Sequence, residues 1–232
     1  MTRRGWLLLA VATFALLGCQ REASSPPATA TTAPAAPAGA PPAAGRPRVV
    51  ALGDSLTAGL GLPPEQSWPS LVQEKIDQAG LTAEVVNAGV SGDTSAGGVR
   101  RLDWALDGDV KVLVLELGAN DGLRGLPVDQ LRENLSQMIA AAKARGIVVL
   151  LLGMEAPPNF GPQSTREFRQ VYTDLAAEHE VAFIPFMLEG VAGNAALNQS
   201  DGIHPNEDGT RRVADLIWQS LQPLLTRALA TS

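Results

Sequence analysis

The chain has 232 residues, a formal net charge of −6, one cysteine and two histidines. Its basic residues are scattered along the sequence and form no stripe, which argues against a nucleic-acid partner. Because the one cysteine is Cys19, near the N-terminus, the folded part has no disulfide, no thiolate metal site and no cysteine nucleophile.

Residues 1–18 are predicted to be a secretory signal peptide. Arg3 and Arg4 precede an apolar stretch that ends at Leu17-Gly18-Cys19, and this stretch is too short to span a membrane. The cysteine at the predicted cleavage site resembles that of the lipobox of bacterial lipoproteins, so we expect Cys19 to carry the lipid. An ordinary signal peptide with an incidental cysteine is the alternative.

Residues 19–47 are predicted to be a disordered tether, because Ala, Pro, Thr and Gly dominate them and bury too little apolar surface to fold. Gln20 follows the cysteine, as it does in lipoproteins that are delivered to the outer membrane. We therefore expect a protein of the bacterial cell envelope, anchored by lipid to the periplasmic face of the outer membrane. Residues 48–232 are predicted to form a single α/β domain.

Within this domain, apolar runs alternate with helical patterns. Buried strands are predicted at 49–52, 84–87, 112–117, 147–152 and 181–184. Helices are predicted from an N-cap at Ser67 to Gly80, and at 94–106, 128–145, 165–178 and 206–225. The alternation predicts a mostly parallel five-stranded sheet with helices on both of its faces.

Polar or glycine-rich segments follow the ends of these strands. They are residues 53–55, 88–93 and 118–121, together with the loop before His204. In open parallel sheets, ligands bind outside the carboxyl ends of the strands. We therefore expect four loops to converge on one pocket.

Ser55 and His204 are the candidates for nucleophilic chemistry. Ser55 directly follows the first strand, and a serine nucleophile needs a histidine to take its proton. His204 has Asp201 three residues before it to orient its ring, whereas His179 lies between two glutamates on a predicted solvated helix face. A helix-capping serine and an Asp-Gly turn are the alternatives.

Gly92 and Asn120 are the candidates for stabilising an oxyanion. A glycine lets its backbone N–H approach a substrate closely, and the side-chain amide of Asn120 can donate a hydrogen bond. Loop flexibility and an Asn-Asp-Gly turn are the alternative explanations. A two-metal phosphoesterase built on Asp54, Asp93 and Asp121 is disfavoured, because that chemistry uses several histidines.

Together these segments resemble the four sequence blocks of the SGNH (GDSL) hydrolase family. The blocks are Gly53-Asp54-Ser55-Leu56, Gly92 within 90–95, Asn120 within 118–121, and Asp201-Gly202-Ile203-His204-Pro205-Asn206. The similarity spans residues 49–224 and is close to the bacterial branch of acyl-CoA thioesterase I, protease I and lysophospholipase L1, and to related arylesterases. It implies a three-layer α/β/α flavodoxin-like fold.

The resemblance also implies a role for each site residue. Ser55 becomes the nucleophile, His204 the base and Asp201 the orienting acid, and the oxyanion hole comes from Ser55, Gly92 and Asn120. In relatives, the segment equivalent to 122–127 lines a mobile acyl site. The expected substrate contacts are therefore Leu123, Leu126, Pro127 and, further along the chain, Pro157.

Two departures from the family pattern concern the acyl site. Ala119 stands where many members have a second glycine, and its methyl group is expected to stiffen the oxyanion loop. Glu155-Ala156 stands where the best-known thioesterase relative has a basic and a large apolar residue, which leaves the acyl-chain preference open.

The expected function is that of a serine esterase. It would hydrolyse acyl or aryl esters and lysophospholipids, with thioesters as a further candidate, through an acyl-enzyme on Ser55. The mechanism needs no metal and no organic cofactor, and we expect a monomer that acts on small-molecule esters. A carbohydrate O-acetyl esterase and a catalytically silent lipoprotein that binds lipids or glycans are the alternatives.

Overall fold

The computed structural model describes residues 45–156, 159 and 161–231. The predicted signal peptide, most of the predicted tether, Cys19 and Pro157 lie outside these described residues. Within them, none of the helices combines the length and the hydropathy needed to cross a bilayer.

The described residues form one sheet of five parallel strands. In chain order the strands are β1 Arg48–Gly53, β2 Glu84–Gly89, β3 Val110–Leu115, β4 Val148–Leu152 and β5 Ala182–Ile184. They lie in the order β2-β1-β3-β4-β5, and every neighbouring pair is parallel. The predicted parallel sheet is thus confirmed. From β1 the chain first moves outward to β2, and it then crosses back past β1 to β3, β4 and β5. This order places a topological switch point between the carboxyl ends of β1 and β3.

Seven α-helices of the described residues cover this sheet. They are α1 Ser55–Ala58, α2 Trp68–Gln78, α3 Ser95–Ala105, α4 Ala119–Leu123, α5 Val128–Ala144, α6 Pro162–Glu178 and α7 Glu207–Ala230. α2 packs against α7, while α5 packs against both α3 and α6. The result is the predicted α/β/α arrangement.

The core is aliphatic and centred on the middle strands. Residues 49–52 of β1 and 112–115 of β3 are completely buried. These strands are continuously apolar, because helices cover both faces of the sheet and leave no solvent-facing side for alternation. Each valine or leucine side chain among them contributes about 1.5–3 kcal/mol through burial.

Two boundaries and one helix cap differ from the sequence prediction in informative ways. α6 begins at Pro162 rather than at residue 165, because a proline at the first helical turn lacks only an N–H that has no helical partner. Ser67 precedes α2 but does not cap it with its side chain: its hydroxyl donates to the carbonyl oxygen of Pro64 over 2.8 Å. β3 ends at Leu115, so Glu116 lies just beyond the strand and beside the end of β1.

Candidate active site

Ser55 is the first residue of α1, at the carboxyl edge of the sheet. Asp54 precedes it as the helix N-cap, and its Oδ1 accepts the N–H of Leu56 over 3.0 Å. Gly53 ends β1 where no side chain fits, since a Cβ there would lie 2.1 Å from Thr57 Oγ1. The strand–turn–helix geometry therefore presents the half-buried Ser55 hydroxyl at the sheet edge.

The loop before α7 presents His204 to this hydroxyl. Asp201 Oδ1 accepts the backbone N–H groups of Ile203 and His204 over 2.9 and 3.0 Å, which closes a tight turn. Asp201 Oδ2 lies 2.7 Å from His204 Nδ1, and His204 Nε2 lies 2.8 Å from Ser55 Oγ. The three residues predicted to act as nucleophile, base and acid thus stand within hydrogen-bond distance in that order.

Gln199 ties the histidine loop to the serine loop. Its side-chain amide donates to the carbonyl oxygen of Leu60 over 2.8 Å and to that of Pro205 over 3.0 Å. Its backbone N–H donates to the carbonyl oxygen of His204 over 2.8 Å. One side chain therefore fixes the spacing of two segments that are far apart in the sequence.

The carboxylate of Asp201 remains ionised over the whole neutral range. The hydrogen bond from the His204 ring, helped by the N–H of Ile203, lowers the pKa of Asp201 to about 2. An ionised acceptor at Nδ1 fixes the proton on that nitrogen, so that Nε2 can accept the hydroxyl proton of Ser55.

Gly92 lies between β2 and α3 in a conformation that favours glycine. Its φ of +79° belongs to the left-handed region, and the residue is exposed. In the described part of the chain, its backbone N–H has no acceptor. Its carbonyl oxygen accepts a hydrogen bond of 2.7 Å from Arg124 Nη2. Arg124 was not identified from the sequence.

Asn120 stands in α4, immediately after β3 and Gly118. Its Nδ2 donates to Asp54 Oδ2 over 2.9 Å and to the carbonyl oxygen of Asp93 over 2.9 Å. Both hydrogens of the amide are therefore engaged within the protein. Donation from Asn120 to an oxyanion requires one of these two bonds to be shared or exchanged.

Two buried carboxyl groups lie beneath the Ser55 turn. Glu116 Oε2 accepts the backbone N–H of Asp54 over 3.1 Å and the hydroxyl of Thr57 over 2.7 Å. Burial raises the pKa of Asp54 to about 6, and burial beside Asp54 raises the pKa of Glu116 well above its usual range. The sequence signal for Glu116 was a single acid at the end of a buried apolar run, and the sequence reasoning did not use it.

Arg101 of α3 joins the ends of β1 and β2. Its guanidinium donates to the carbonyl oxygens of Ala88 and Gly53 over 2.5 and 2.8 Å, and pairs with Asp93 Oδ2 over 2.7 Å. It therefore ties the ends of β1 and β2 to α3 through two backbone carbonyl oxygens, of which that of Gly53 also accepts the N–H of Val90 over 3.0 Å.

The aspartates considered as metal ligands each have another partner. Asp93 pairs with Arg101, whereas Asp121 accepts the hydroxyl and the N–H of Ser95 over 2.5 and 2.8 Å. Within residues 45–156, 159 and 161–231, no group of three or more histidine, cysteine or acidic side chains is placed to hold a metal ion.

The prediction that His179 lies on a solvated helix face is wrong. The residue follows Glu178 as the C-cap of α6 and is half-buried, because α6 packs against α5. Its Nε2 hydrogen-bonds with Ser136 Oγ of α5 over 2.9 Å. This histidine is engaged between two helices, which leaves His204 as the histidine beside Ser55.

An apolar cleft of about 650 Å³ opens beside Ser55 and His204. Most of its walls are aliphatic or aromatic: Leu56, Leu60, Leu123, Met154, Ala156, Phe186, Leu188, Ala192 and Ile203. Glu155, paired with Arg169 over 2.7 Å, adds one charge to the wall. Such a lining suits an acyl or aryl group next to a reacting carbonyl.

The predicted substrate contacts are only partly at this cleft. Leu123 lines it, but Leu126 and Pro127 do not. The chain turns away there, because the N–H of Leu126 donates back to the carbonyl oxygen of Asp121 over 2.9 Å and Pro127 precedes α5. Several wall residues that sequence reasoning missed come instead from the segment after β5, such as Phe186 and Leu188.

The chain is similar to known hydrolases over most of its length. Esterase TesA of Pseudomonas aeruginosa is 46% identical over 178 residues, which cover 76% of this chain and 89% of that protein. Thioesterase 1/protease 1/lysophospholipase L1 of Escherichia coli is 38% identical over 175 residues, which cover 75% and 83%. A crystal structure of TesA matches with a TM-score of 0.74 and 44% identity, over 76% of this chain and 99% of that one.

The family comparison covers the same part of the chain as the site. The model of the GDSL-like lipase/acylhydrolase family matches residues 51–212, a span that includes Ser55, Gly92, Asn120, Asp201 and His204. This span is well over half of the chain, and it agrees with the architecture of the parallel sheet. The chain belongs to the GDSL-like lipase/acylhydrolase family, whose members are also called SGNH hydrolases.

Proposed function

We propose that this protein is a serine esterase that hydrolyses carboxylic esters of acyl or aryl groups through an acyl-enzyme on Ser55. The observation that carries the proposal is the hydrogen-bonded series Ser55 Oγ, His204 Nε2, His204 Nδ1 and Asp201 Oδ2, with distances of 2.8 and 2.7 Å. The names of the similar proteins, an esterase and a thioesterase/lysophospholipase, support the same chemistry.

In the first half of the reaction, Ser55 Oγ attacks the carbonyl carbon while its proton passes to His204 Nε2. The ionised Asp201 stabilises the imidazolium that forms. The negative charge that develops on the carbonyl oxygen is stabilised by the N–H groups of Ser55 and Gly92 and by the amide of Asn120. The tetrahedral intermediate then expels the alcohol, which takes the proton from His204.

In the second half, water replaces the alcohol. His204 removes a proton from the water as its oxygen attacks the acyl carbon. The bond between the acyl carbon and Ser55 Oγ then breaks, His204 returns the proton to Oγ, and the carboxylic acid leaves. All proton transfers use His204 and the reacting groups alone, so the proposal includes no metal and no organic cofactor.

The lining of the cleft supports an apolar acyl or aryl group as the part of the substrate that is bound. Leu123, Ile203 and Phe186 offer hydrophobic contacts and few hydrogen-bonding groups for a sugar. We therefore place acyl esters, aryl esters and lysophospholipids before acetylated carbohydrates, and we include thioesters as substrates to be compared with oxygen esters.

The decisive experiment compares the natural protein with Ser55→Ala on p-nitrophenyl esters of increasing acyl length. We expect the variant to lose at least a thousandfold in kcat and to unfold at the same temperature as the natural protein. A fluorophosphonate probe should label the natural protein and leave the variant unlabelled. Turnover that survives the substitution would mean that Ser55 is not the nucleophile. No turnover and no labelling in either protein would point to a binding lipoprotein instead.

We also propose that the enzyme is a lipoprotein of the bacterial envelope, acylated at Cys19 and held on the periplasmic face of the outer membrane. The support is the sequence from Arg3 to Gln20 described above. Replacement of Cys19 by Ser in the full chain should move the protein from the membrane fraction to the soluble fraction. If both forms partition alike, the lipid anchor is excluded.

A further inference from the structure

Two carboxyl groups are buried side by side beneath the candidate nucleophile. Asp54 and Glu116 are both completely inaccessible to solvent. The backbone N–H of Asp54 donates to Glu116 Oε2 over 3.1 Å, so that the two residues are joined at the ends of β1 and β3. Their carboxyl groups also lie within hydrogen-bonding reach of each other. Two buried carboxyl groups so placed cannot both be ionised without a large electrostatic penalty.

Among the described residues, no lysine or arginine compensates this pair. The ionisable groups that face it are Tyr172 from α6 and His204 from the loop before α7. The nearby guanidinium of Arg101 is bonded to the carbonyl oxygen of Gly53 and to Asp93. Within the described ranges, no lysine or arginine side chain pairs with either buried carboxyl group. A proton must therefore neutralise one of the two acids.

The hydrogen bonds indicate which acid holds the proton. Asp54 accepts the N–H of Leu56 at one oxygen and the amide of Asn120 at the other, and both donors favour its ionised form. Glu116 Oε2 also accepts two hydrogen bonds, but Glu116 Oε1 is buried without a partner. An unpaired carboxylate oxygen is costly in the protein interior. A protonated carboxyl group needs an acceptor for its hydrogen, and the adjacent carboxylate of Asp54 can be that acceptor.

We infer that Glu116 is a positioning residue: in its protonated form it donates to Asp54, and Asp54 in turn holds the amide of Asn120 at the edge of the cleft. This inference rests on the proposed function, because the amide matters for the reaction only if Asn120 stabilises an oxyanion. The raised pKa of Glu116, caused by burial and by the neighbouring charge of Asp54, agrees with a proton retained at neutral pH.

The kinetic test compares two substitutions at one position. Glu116→Gln keeps the shape and a donor for Asp54, whereas Glu116→Met keeps the approximate volume and removes every polar atom. We expect Glu116→Met to lower kcat about 10- to 100-fold with KM almost unchanged, because complete loss of an oxyanion donor costs about 100- to 1,000-fold. Glu116→Gln should recover most of this loss.

Leu221→Ala serves as the matched control. Leu221 is completely buried in the second half of α7, and its truncation destabilises the fold without touching the loops of the cleft. If Leu221→Ala lowers kcat as much as Glu116→Met, the effect is one of stability and the inference is wrong. The inference is also wrong if Glu116→Met keeps full kcat. It is equally wrong if Glu116→Gln is as slow as Glu116→Met, because that result would mean that the charge of Glu116 is needed.

Infrared spectroscopy reads the proton directly and does not depend on turnover. At pH 8 the natural protein should show the carbonyl stretch of a buried protonated carboxyl group, and Glu116→Gln should lack it. Absence of the band from the natural protein, or its persistence in the variant, overturns the inference even if Glu116→Met does not fold. If the proposed function is wrong, the result is different: the natural protein and Ser55→Ala would be equally inactive, and the infrared band would be unaffected.

Discussion

The guanidinium of Arg124 donates to the carbonyl oxygen of Gly92 over 2.7 Å, and this bond joins the loop after β2 to the segment after α4. Both segments carry candidate oxyanion donors, since Asn120 belongs to α4. The bond is exposed, so its net contribution is about 1 kcal/mol. Its position nevertheless allows it to fix the distance between Gly92 and Asn120.

Replacement of Arg124 by Ala should therefore lower kcat about fivefold without lowering the melting temperature appreciably. Steady-state kinetics on one p-nitrophenyl ester and a thermal melt are sufficient. Arg100→Ala is the matched control, because Arg100 is equally an exposed arginine, and within the described part of the chain its guanidinium bonds to the carbonyl oxygen of Ala96 in its own helix. Equal rates for both variants would show that the bond does not order the oxyanion loops.

Asp201→Asn is expected to lower kcat by at least about a hundredfold. The amide cannot accept the Nδ1 proton as an ionised carboxylate does, and it favours the wrong tautomer of His204. Because the pKa of Asp201 is lowered to about 2, its carboxylate is ionised at pH 5 and at pH 8, and a loss is expected at both. Asp208→Asn, in the first turn of α7, is the control with an equal change in charge. A variant that regains activity at either pH would contradict the assigned role.

The lowered pKa of Asp201 also makes the stability of the fold depend on pH. The pKa of Asp201 falls from 3.8 in the unfolded chain to about 2 in the folded protein. The stabilising contribution of Asp201 is therefore fully present above pH 4 and is lost as the pH falls towards 2. Acid denaturation of Asp201→Asn should lack this component.

The buried Asp54 predicts the opposite pH dependence. Its pKa rises from 3.8 to about 6 on folding, so the folded protein binds this proton more tightly than the unfolded chain does. The free energy of unfolding should fall by roughly 3 kcal/mol between pH 4 and pH 7 on account of this group. Urea denaturation of the natural protein and of Asp54→Asn at both pH values measures the difference. Parallel changes in the two proteins would show that Asp54 does not titrate in this range.

Gly53→Ala should destabilise the fold by about 2–3 kcal/mol, because the added methyl group would meet Thr57 Oγ1 and Glu116 Oε2 at 2.1 and 2.4 Å. The measurement is the midpoint of urea denaturation at constant m-value. Gly45→Ala is the control, since a Cβ at that position has no neighbour within 4 Å. A stable Gly53→Ala protein would mean that the ends of β1 and β3 can separate without loss.

Ala156→Phe should shorten the acyl chain that the cleft accepts. Ala156 is nearly buried in the cleft wall, and a phenyl ring there occupies volume next to Gly122. We expect kcat/KM for p-nitrophenyl decanoate to fall about tenfold or more relative to that for the acetate. The acetate rate of the same variant serves as the internal control. An unchanged ratio would place the acyl chain elsewhere.

The strands and the reacting residues were accessible from the sequence for different reasons. Continuous apolar runs between glycine-rich loops identify buried parallel strands, and two histidines leave few choices for a base. Ser55 and His204 could be paired because the carboxyl ends of parallel strands lie at one edge of the sheet. Gly92 and Asn120 were candidates because of their residue types and loop positions, and the family resemblance assigned them to the oxyanion hole.

What the sequence did not reveal depends on contacts between distant segments. Arg101, Arg124 and Gln199 bind backbone carbonyl oxygens, and a carbonyl oxygen leaves no signature in a sequence pattern. Glu116 lies at the end of an apolar run, where periodicity treats it as part of a strand. The chain turns away after Leu123 because the N–H of Leu126 bonds back to α4. A sequence pattern does not show this bond, so Leu126 and Pro127 were expected at the cleft.

Arg48 opens β1 at the amino edge of the sheet, whereas the cleft lies at the carboxyl edge. The described chain consequently enters the sheet at the edge opposite the cleft. A fusion partner or a capture tag placed there, or attachment of the enzyme to a solid support through that end, should leave the mouth of the cleft facing the solution and its substrates.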